Sequence, residues 1–231
     1  MSNPTSVLFG PEAIAYRLND LRTRVVVTDT ANYPKIAELR ANCPSVEHVF
    51  VVDGEPAGSK HFWTSIDAAS ADFANVRTRA DDPAWVSYTS GTTGMPKGSV
   101  QPHRMLLGHM PSVEFMYDFF PQPNDVLWSP ADWAWMAGLT NLLFSGWFHG
   151  ATVVATAAMK GFQPEAAYRI LGQYGVTCAF LTPTALKLMR PIPNARERFK
   201  LKLRVVASGG EAVGAGIFEW AQRELGIRIN E

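Results

Sequence analysis

The eleven positions Tyr88-Thr89-Ser90-Gly91-Thr92-Thr93-Gly94-Met95-Pro96-Lys97-Gly98 hold three glycines, four aliphatic hydroxyls and a lysine. That combination suits the holding of phosphate. Glycines let backbone N–H groups turn toward an anion. Ser and Thr hydroxyls add neutral donors, and Lys97 adds a point charge matched to phosphate oxygens. A plain surface turn needs neither the hydroxyls nor the lysine. A Walker A loop is excluded by spacing. Counted from Gly91, Pro96 stands before Lys97, and Gly98 occupies the place of the magnesium-binding hydroxyl. A P-loop kinase or GTPase is therefore disfavoured.

Two other segments have types that could bind a ligand. Ser208-Gly209-Gly210-Glu211-Ala212 joins an apolar run, Leu203–Ala207, to a helical pattern. A glycine pair there lets a flat group lie against bare backbone at the carboxyl end of a strand. Pro130-Ala131-Asp132-Trp133-Ala134-Trp135-Met136-Ala137-Gly138-Leu139 is rich in aromatic and small residues. Trp133 and Trp135 serve there either as a ligand wall or as core aromatics. The five histidines show no metal-ligand spacing.

The elements that must position these segments alternate along the chain. Apolar and β-branched runs predict strands over 24–28, 49–52, 84–88, 152–156, 177–181, 203–208 and 227–229. Helical patterns occupy 11–21, 33–41, 102–120 with a break at Pro111, 136–148, 166–173, 183–189 and 214–225. Asp29 and Thr30 are candidate caps for the second helix. The stretch 55–82 reads as irregular and marks a boundary between an N-terminal α/β segment, 1–82, and a core, 83–231. Such alternation predicts an α/β fold with mostly parallel, buried strands.

The loop at 88–98 resembles, almost letter for letter, the signature of the adenylate-forming (AMP-binding) enzymes, and in particular acyl-CoA synthetases of the acetyl- and medium-chain type. The resemblance implies activation of a carboxylic acid by ATP to an acyl-adenylate, then transfer to coenzyme A. It assigns Thr89, Ser90, Gly91, Thr92, Thr93, Gly94, Lys97 and Gly98 to the phosphates, with Thr92, Thr93 and Lys97 catalytic. It gives the adenine to Gly209, Gly210, Glu211 and Ala212, although Ala212 stands where proline is frequent in the acetyl-CoA synthetase branch. It gives the acid pocket to Trp133, Trp135, Met136, Gly138 and Ser208. ATP, Mg2+ as its companion, and coenzyme A follow as co-substrates, with no metal ligands assigned in this chain.

By the same resemblance the chain reads as an internal part of the large N-terminal domain. It stops before a Tyr-Gly-x-Thr-Glu segment, a ribose-binding aspartate and a C-terminal domain with a catalytic lysine. Marginal stability in isolation is the expected consequence, and a catalytically inactive nucleotide-binding remnant is the alternative reading.

Composition bounds the rest. The 231 residues suffice for one large α/β domain or two small ones. Lys plus Arg equals Asp plus Glu at 21 each, which argues against a nucleic-acid or anionic-membrane surface. Cys43 and Cys178 form no CxxC pair, and no signal peptide is apparent, so a cytoplasmic protein is expected. Residues 133–159 lack Asp, Glu, Lys and Arg but contain Asn, Ser and Thr side chains and three glycines. They read as a buried helix, a stop at Gly150 and a buried strand rather than a membrane span.

Overall fold

The computed structural model describes residues 1–89, 94–156 and 161–231. They fall into two compact units, residues 5–78 and residues 1–4 with 79–231.

In the smaller unit, α1 (Pro11–Asp20), β1 (Val25–Thr28), α2 (Tyr33–Leu39), β2 (His48–Val51), β3 (Lys60–His61) and α3 (Phe62–Asp67) follow in order. The sheet order β1-β2-β3 is parallel throughout, with Val25 opposite His48 and Phe50 opposite Lys60. Ile14, Tyr33, Ile36, Leu39, Val49 and Val51 make its core. The anticipated caps act differently. Asn32 occupies the N-cap position of α2 without a side-chain cap bond. Asp29 instead accepts from the Asn32 backbone N–H and Nδ2, at 2.7 and 2.8 Å. Thr30 donates through N and Oγ1 to Asp53, which closes the turn after β2. The stretch read as irregular contains β3 and α3, whose unusual cap, the His61 ring, accepts from Thr64 N.

The larger unit opens with a hairpin. β4 (Pro83–Thr89) and β5 (Lys97–Pro102) pair antiparallel, and Ser2 bridges the far side of Trp85. β5 lies ahead of the helix expected from Pro102, which starts two residues later as α4 (Arg104–Met116). Pro111 does not break α4. Burial of Met110 and Val113 holds the helix together across it, against a proline cost of about 3 kcal/mol.

The chain then alternates through β6 (Val126–Trp128), α5 (Met136–Gly138), a π-helical turn Leu139–Phe144, α6 (Ser145–His149) and β7 (Thr152–Val153). Gly150, at φ +67°, stops the helical run. No helix among the described residues is long and apolar enough to cross a membrane. The series continues with α7 (Pro164–Gln173), β8 (Cys178–Phe180), α8 (Pro183–Met189), α9 (Ala195–Arg198), β9 (Val205–Ala207), α10 (Ala215–Trp220), a π-helical turn Ala221–Leu225 and β10 (Arg228–Asn230).

These strands form a parallel sheet in the order β10-β9-β8-β6-β7. Alternate side chains face opposite layers. Trp128, Ala179 and Val206 pack with α7, α8 and α10. Leu127, Cys178, Phe180 and Val205 pack with α4 and the π-helical turn at 139–144. Both faces are covered, so β8 and β9 are buried at every position.

One polar network fixes the amino ends of three strands. Asp125, Thr177 and Arg204 stand just ahead of β6, β8 and β9 respectively. Arg204 grips Asp125 in bidentate fashion, at 2.9 and 2.6 Å. Thr177 Oγ1 and Gln122 N also donate to the same carboxylate. The remaining Arg204 donor caps the carbonyls of Tyr117 and Asp118 after α4.

Cys178 lies between these layers. Burial, and then the Asp125 charge, push its thiol up to about 12, and burial also raises Cys43. A thiol held protonated reacts slowly. Neither cysteine is therefore expected to take iodoacetamide in the folded protein, and both should after urea unfolding. Intact-mass measurement of labelled protein checks this.

Candidate active site

The carboxyl ends of β6, β8 and β9 converge. Chain order makes this a special place: β7 is added on one side of β6, and β8, β9 and β10 on the other. The loops after β6 and β8 therefore diverge and leave a crevice, the usual ligand position in an open α/β sheet. A cavity of about 190 Å³ occupies it. Its walls are Ser129–Ala131 after β6, Phe180 and Thr182 at β8, and Thr184, Ala185 and Leu188 on α8, with Phe162 beside them.

Each wall is locally fixed. Ser129 Oγ accepts from Ala131 N at 3.0 Å, and Asp132 Oδ1 from Ala134 N at 2.9 Å. Thr182 Oγ1 caps α8 by accepting from Ala185 N at 3.2 Å. Gly138 permits the helix to sit on the loop before it. A Cβ there would lie 2.7 Å from the Asp132 carbonyl oxygen and 2.8 Å from that of Ala131. Gly138→Ala must push the cavity's loop outward and is expected to cost about 1–3 kcal/mol; urea unfolding of the two proteins measures it.

The segment after β9 is tied to α8. Glu211 Oε1 accepts from Thr184 N at 3.1 Å and from Thr184 Oγ1 at 2.5 Å. The Thr184 hydroxyl, the amide and nearby Lys187 hold its carboxyl below the usual range. Gly209 and Gly210 have open space where a Cβ would be, and Gly210 is at φ +97°. They present a shelf of bare backbone. Ser208 Oγ is buried and finds no hydrogen-bond partner among the described residues.

The remaining anticipated residues are distributed as follows. Lys97 is exposed and stands opposite Thr89 in the β4–β5 ladder, with Gly98 opposite Tyr88. Gly98 has only 3.0 Å to the Val86 side chain from a would-be Cβ. Gly94 is at φ +125°. Ser90, Gly91, Thr92 and Thr93 lie outside the described residues. Trp133 packs against Trp85, Leu139 and Leu143, while Trp135 is half exposed. Met136 begins α5, and Ala212 is exposed after Glu211. Glu211 is bonded to Thr184, one of the cavity's walls, and Ser208 follows β9; neither is itself among the walls. The tryptophans are not among the cavity's walls. Phe162, Phe180, Thr182, Thr184, Ala185 and Leu188 were not anticipated. The Thr182-Pro183-Thr184 turn after a buried strand was their signal.

The comparisons agree with this architecture. The AMP-binding enzyme family matches residues 1–231, and the chain belongs to that family. Acetyl-coenzyme A synthetase of Syntrophus aciditrophicus (strain SB) is 30% identical over 94% of this chain and 36% of its own length. That of Bacillus subtilis (strain 168) is 29% identical over 100% of this chain and 40% of its own. Among solved structures, Brucella canis acyl-CoA synthetase superposes with a TM-score of 0.84 at 29% identity, covering 98% of this chain and 41% of that one. A benzoate CoA ligase from Burkholderia xenovorans LB400 gives 0.81 at 25% identity, covering 97% and 43%. The chain thus spans 36% and 40% of the length of the two curated relatives.

Proposed function

We propose that this chain supplies the nucleotide- and acid-binding part of an AMP-forming acid–thiol ligase. The observation that carries the reading is the AMP-binding family match along all of residues 1–231. A carboxylate would attack the α-phosphorus of ATP, forming the mixed acyl-phosphate anhydride and releasing pyrophosphate. The coenzyme A thiolate would then attack the acyl carbon, form the thioester and expel AMP. A carboxylate is a weak nucleophile toward a polyanion, so donors fixed around the phosphates do much of the work.

In this reading Lys97, Thr89, Gly94 and Gly98, with Ser90–Thr93, hold the β- and γ-phosphates. The Gly209–Gly210 shelf takes the adenine, with Glu211 and Ala212 beside it. Ser208, Trp133, Trp135, Met136 and Gly138 belong to the acid side. Residues 83–231 form the nucleotide-binding core and 1–82 the segment before it. An Mg2+ ion carried on the triphosphate needs only one or two protein carboxylates. The lone cysteines, without a CxxC pair, suit a cytoplasmic setting. Names of relatives favour thioester formation over peptide-synthetase or luciferase chemistry.

The test is acid-dependent exchange of labelled pyrophosphate into ATP by the protein that carries this chain, followed by thioester detection with coenzyme A. Exchange with a monocarboxylic acid and a thioester product are expected. ATP binding without exchange for any acid would overturn the reading.

A further inference from the structure

We propose that Thr184 is a positioning residue for the nucleotide: by holding the Glu211 carboxylate it fixes the adjoining Gly209–Gly210 pair. The inference rests on the ligase reading above, which gives that pair the adenine. It adds a residue that acts on the nucleotide only through another.

Three observations carry it. The first is what the segment lacks. None of residues 209–212, Gly-Gly-Glu-Ala, is buried. Gly210 is at φ +97°, and neither glycine has an atom within 4 Å of the place of a Cβ. A glycine pair combines wide backbone freedom with no side chain to anchor it. The second is where the segment is held. Its flanks are fixed, because Ser208 N donates to the Asn230 carbonyl at 2.8 Å and Val213 is packed in the core. Between those flanks, among the described residues, only Glu211 makes hydrogen bonds to another element. Both come from Thr184.

The third is that Thr184 is a firm post. It is carried by α8, whose Pro183, Ala185, Leu186 and Met189 are buried. Its N–H belongs to the first turn, where a helix supplies no carbonyl partner. Thr182 Oγ1 serves the next amide, that of Ala185, and Glu211 serves that of Thr184. The Thr184 hydroxyl donates a second bond to the same carboxylate oxygen. Bonds to an ionised acceptor are about twice as strong as neutral ones. Lys187 on the same helix adds a favourable charge. A shelf held in place in advance binds more tightly than one gathered on arrival of the ligand.

Thr184 also lines the cavity beside α8, so the experiment uses nucleotide alone, with no acid present, in the protein that carries this chain. Thr184→Val keeps the branched shape and the N–H but removes the hydroxyl; Thr184→Ser keeps the hydroxyl. Glu-C protease cutting after Glu211, followed by mass spectrometry without nucleotide, reads how firmly the segment is held. Thr184→Val should be cut there about tenfold faster, Thr184→Ser at nearly the wild-type rate, and cutting after Glu197 should not change. Calorimetric titration with ATP and Mg2+ should show Kd raised about tenfold in Thr184→Val, the scale of one charge-assisted hydrogen bond. Thr184→Ser should bind nearly as wild type. In a Glu211→Ala background Thr184→Val should add nothing, because its partner is already gone. Circular dichroism melts confirm that the variants fold. Unchanged ATP affinity in folded Thr184→Val, equal losses from Val and Ser, or additive losses in the double variant would each overturn the positioning role and leave the ligase reading standing. Wild-type protein that shows the cutting pattern but no acid-dependent pyrophosphate exchange would overturn the ligase reading instead.

Discussion

In the protein that carries this chain, Lys97→Ala slows formation of the acyl-adenylate by about 10²–10³-fold, the effect of losing one strong donor to transition-state charge. Transfer of a preformed acyl-adenylate to coenzyme A changes far less. The asymmetry follows from where charge moves. In the first half-reaction pyrophosphate departs, and the proposed role of Lys97 is to meet its oxygens. In the second, AMP leaves from an acyl carbon and no β- or γ-phosphate is present. Lys97 is suited to this by position, being exposed, at the start of β5 and opposite Thr89 at the mouth of the loop. Its backbone is held by the ladder, so truncation beyond Cβ leaves the hairpin paired. Lys97→Arg keeps the charge but not the compact ammonium, and should recover only part of the rate. Rapid-quench measurement of each half-reaction with labelled ATP separates the two steps. Equal slowing of both would sink the assignment.

The largest stability effect is expected at Asp125. Asp125→Ala leaves Arg204, with side-chain exposure of 23%, without its carboxylate, and frees Thr177 Oγ1 and Gln122 N together. Breaking a buried pair from one side costs about 3–5 kcal/mol. Chemical denaturation of wild type and variant measures it. The pH dependence has a definite sign. Burial raises the Asp125 carboxyl, but the Arg204 hydrogen bonds, with those from Gln122 and Thr177 and the Arg204 charge, outweigh it and leave the value lowered. A lowered carboxylate contributes its full stability above its unfolded value of about 3.9 and loses it as pH falls through the folded value. The gap between wild type and Asp125→Asn should therefore be widest above about pH 4 and narrow in stronger acid. A gap that stayed constant from pH 7 to pH 3 would contradict the ionised pair.

Much of the fold was legible because its signals are local. Buried parallel strands read as continuous apolar runs, and Cys178–Phe180, Val205–Ala207 and α8 fall where the pattern puts them. Gly150 stops its helix as expected because αL backbone suits glycine. Other features were not local. β5, Lys-Gly-Ser-Val-Gln-Pro, is exposed or half exposed throughout and owes its conformation to pairing with β4, so it shows no apolar alternation. α3 is capped by a histidine ring, a type outside the usual capping set. Pro111 was read as a break, but packing overrides it.

The site divides in the same way. Ser208 and Glu211 were singled out because they lie between a strand and a helix, and they do follow β9 and precede α10. The partner of Glu211 is 27 positions earlier in the chain, and no periodicity reports such a contact. The tryptophans illustrate the opposite limit. An aromatic-rich segment marks either a ligand wall or a packed cluster, and Trp133 is placed against Trp85, Leu139 and Leu143.

The β4–β5 ladder has an entropic consequence. Thr89 and Lys97 face each other as a register pair, so the two ends of the seven-residue connection are held within about 5 Å by backbone bonding alone. The freedom lost in bringing those ends together is already spent by folding, before any nucleotide arrives. In the proposed role, holding a phosphate would draw on binding energy only for the residues between. A longer connection on the same ladder would raise the closure cost only logarithmically, so the ladder, more than the length of the loop, sets that cost.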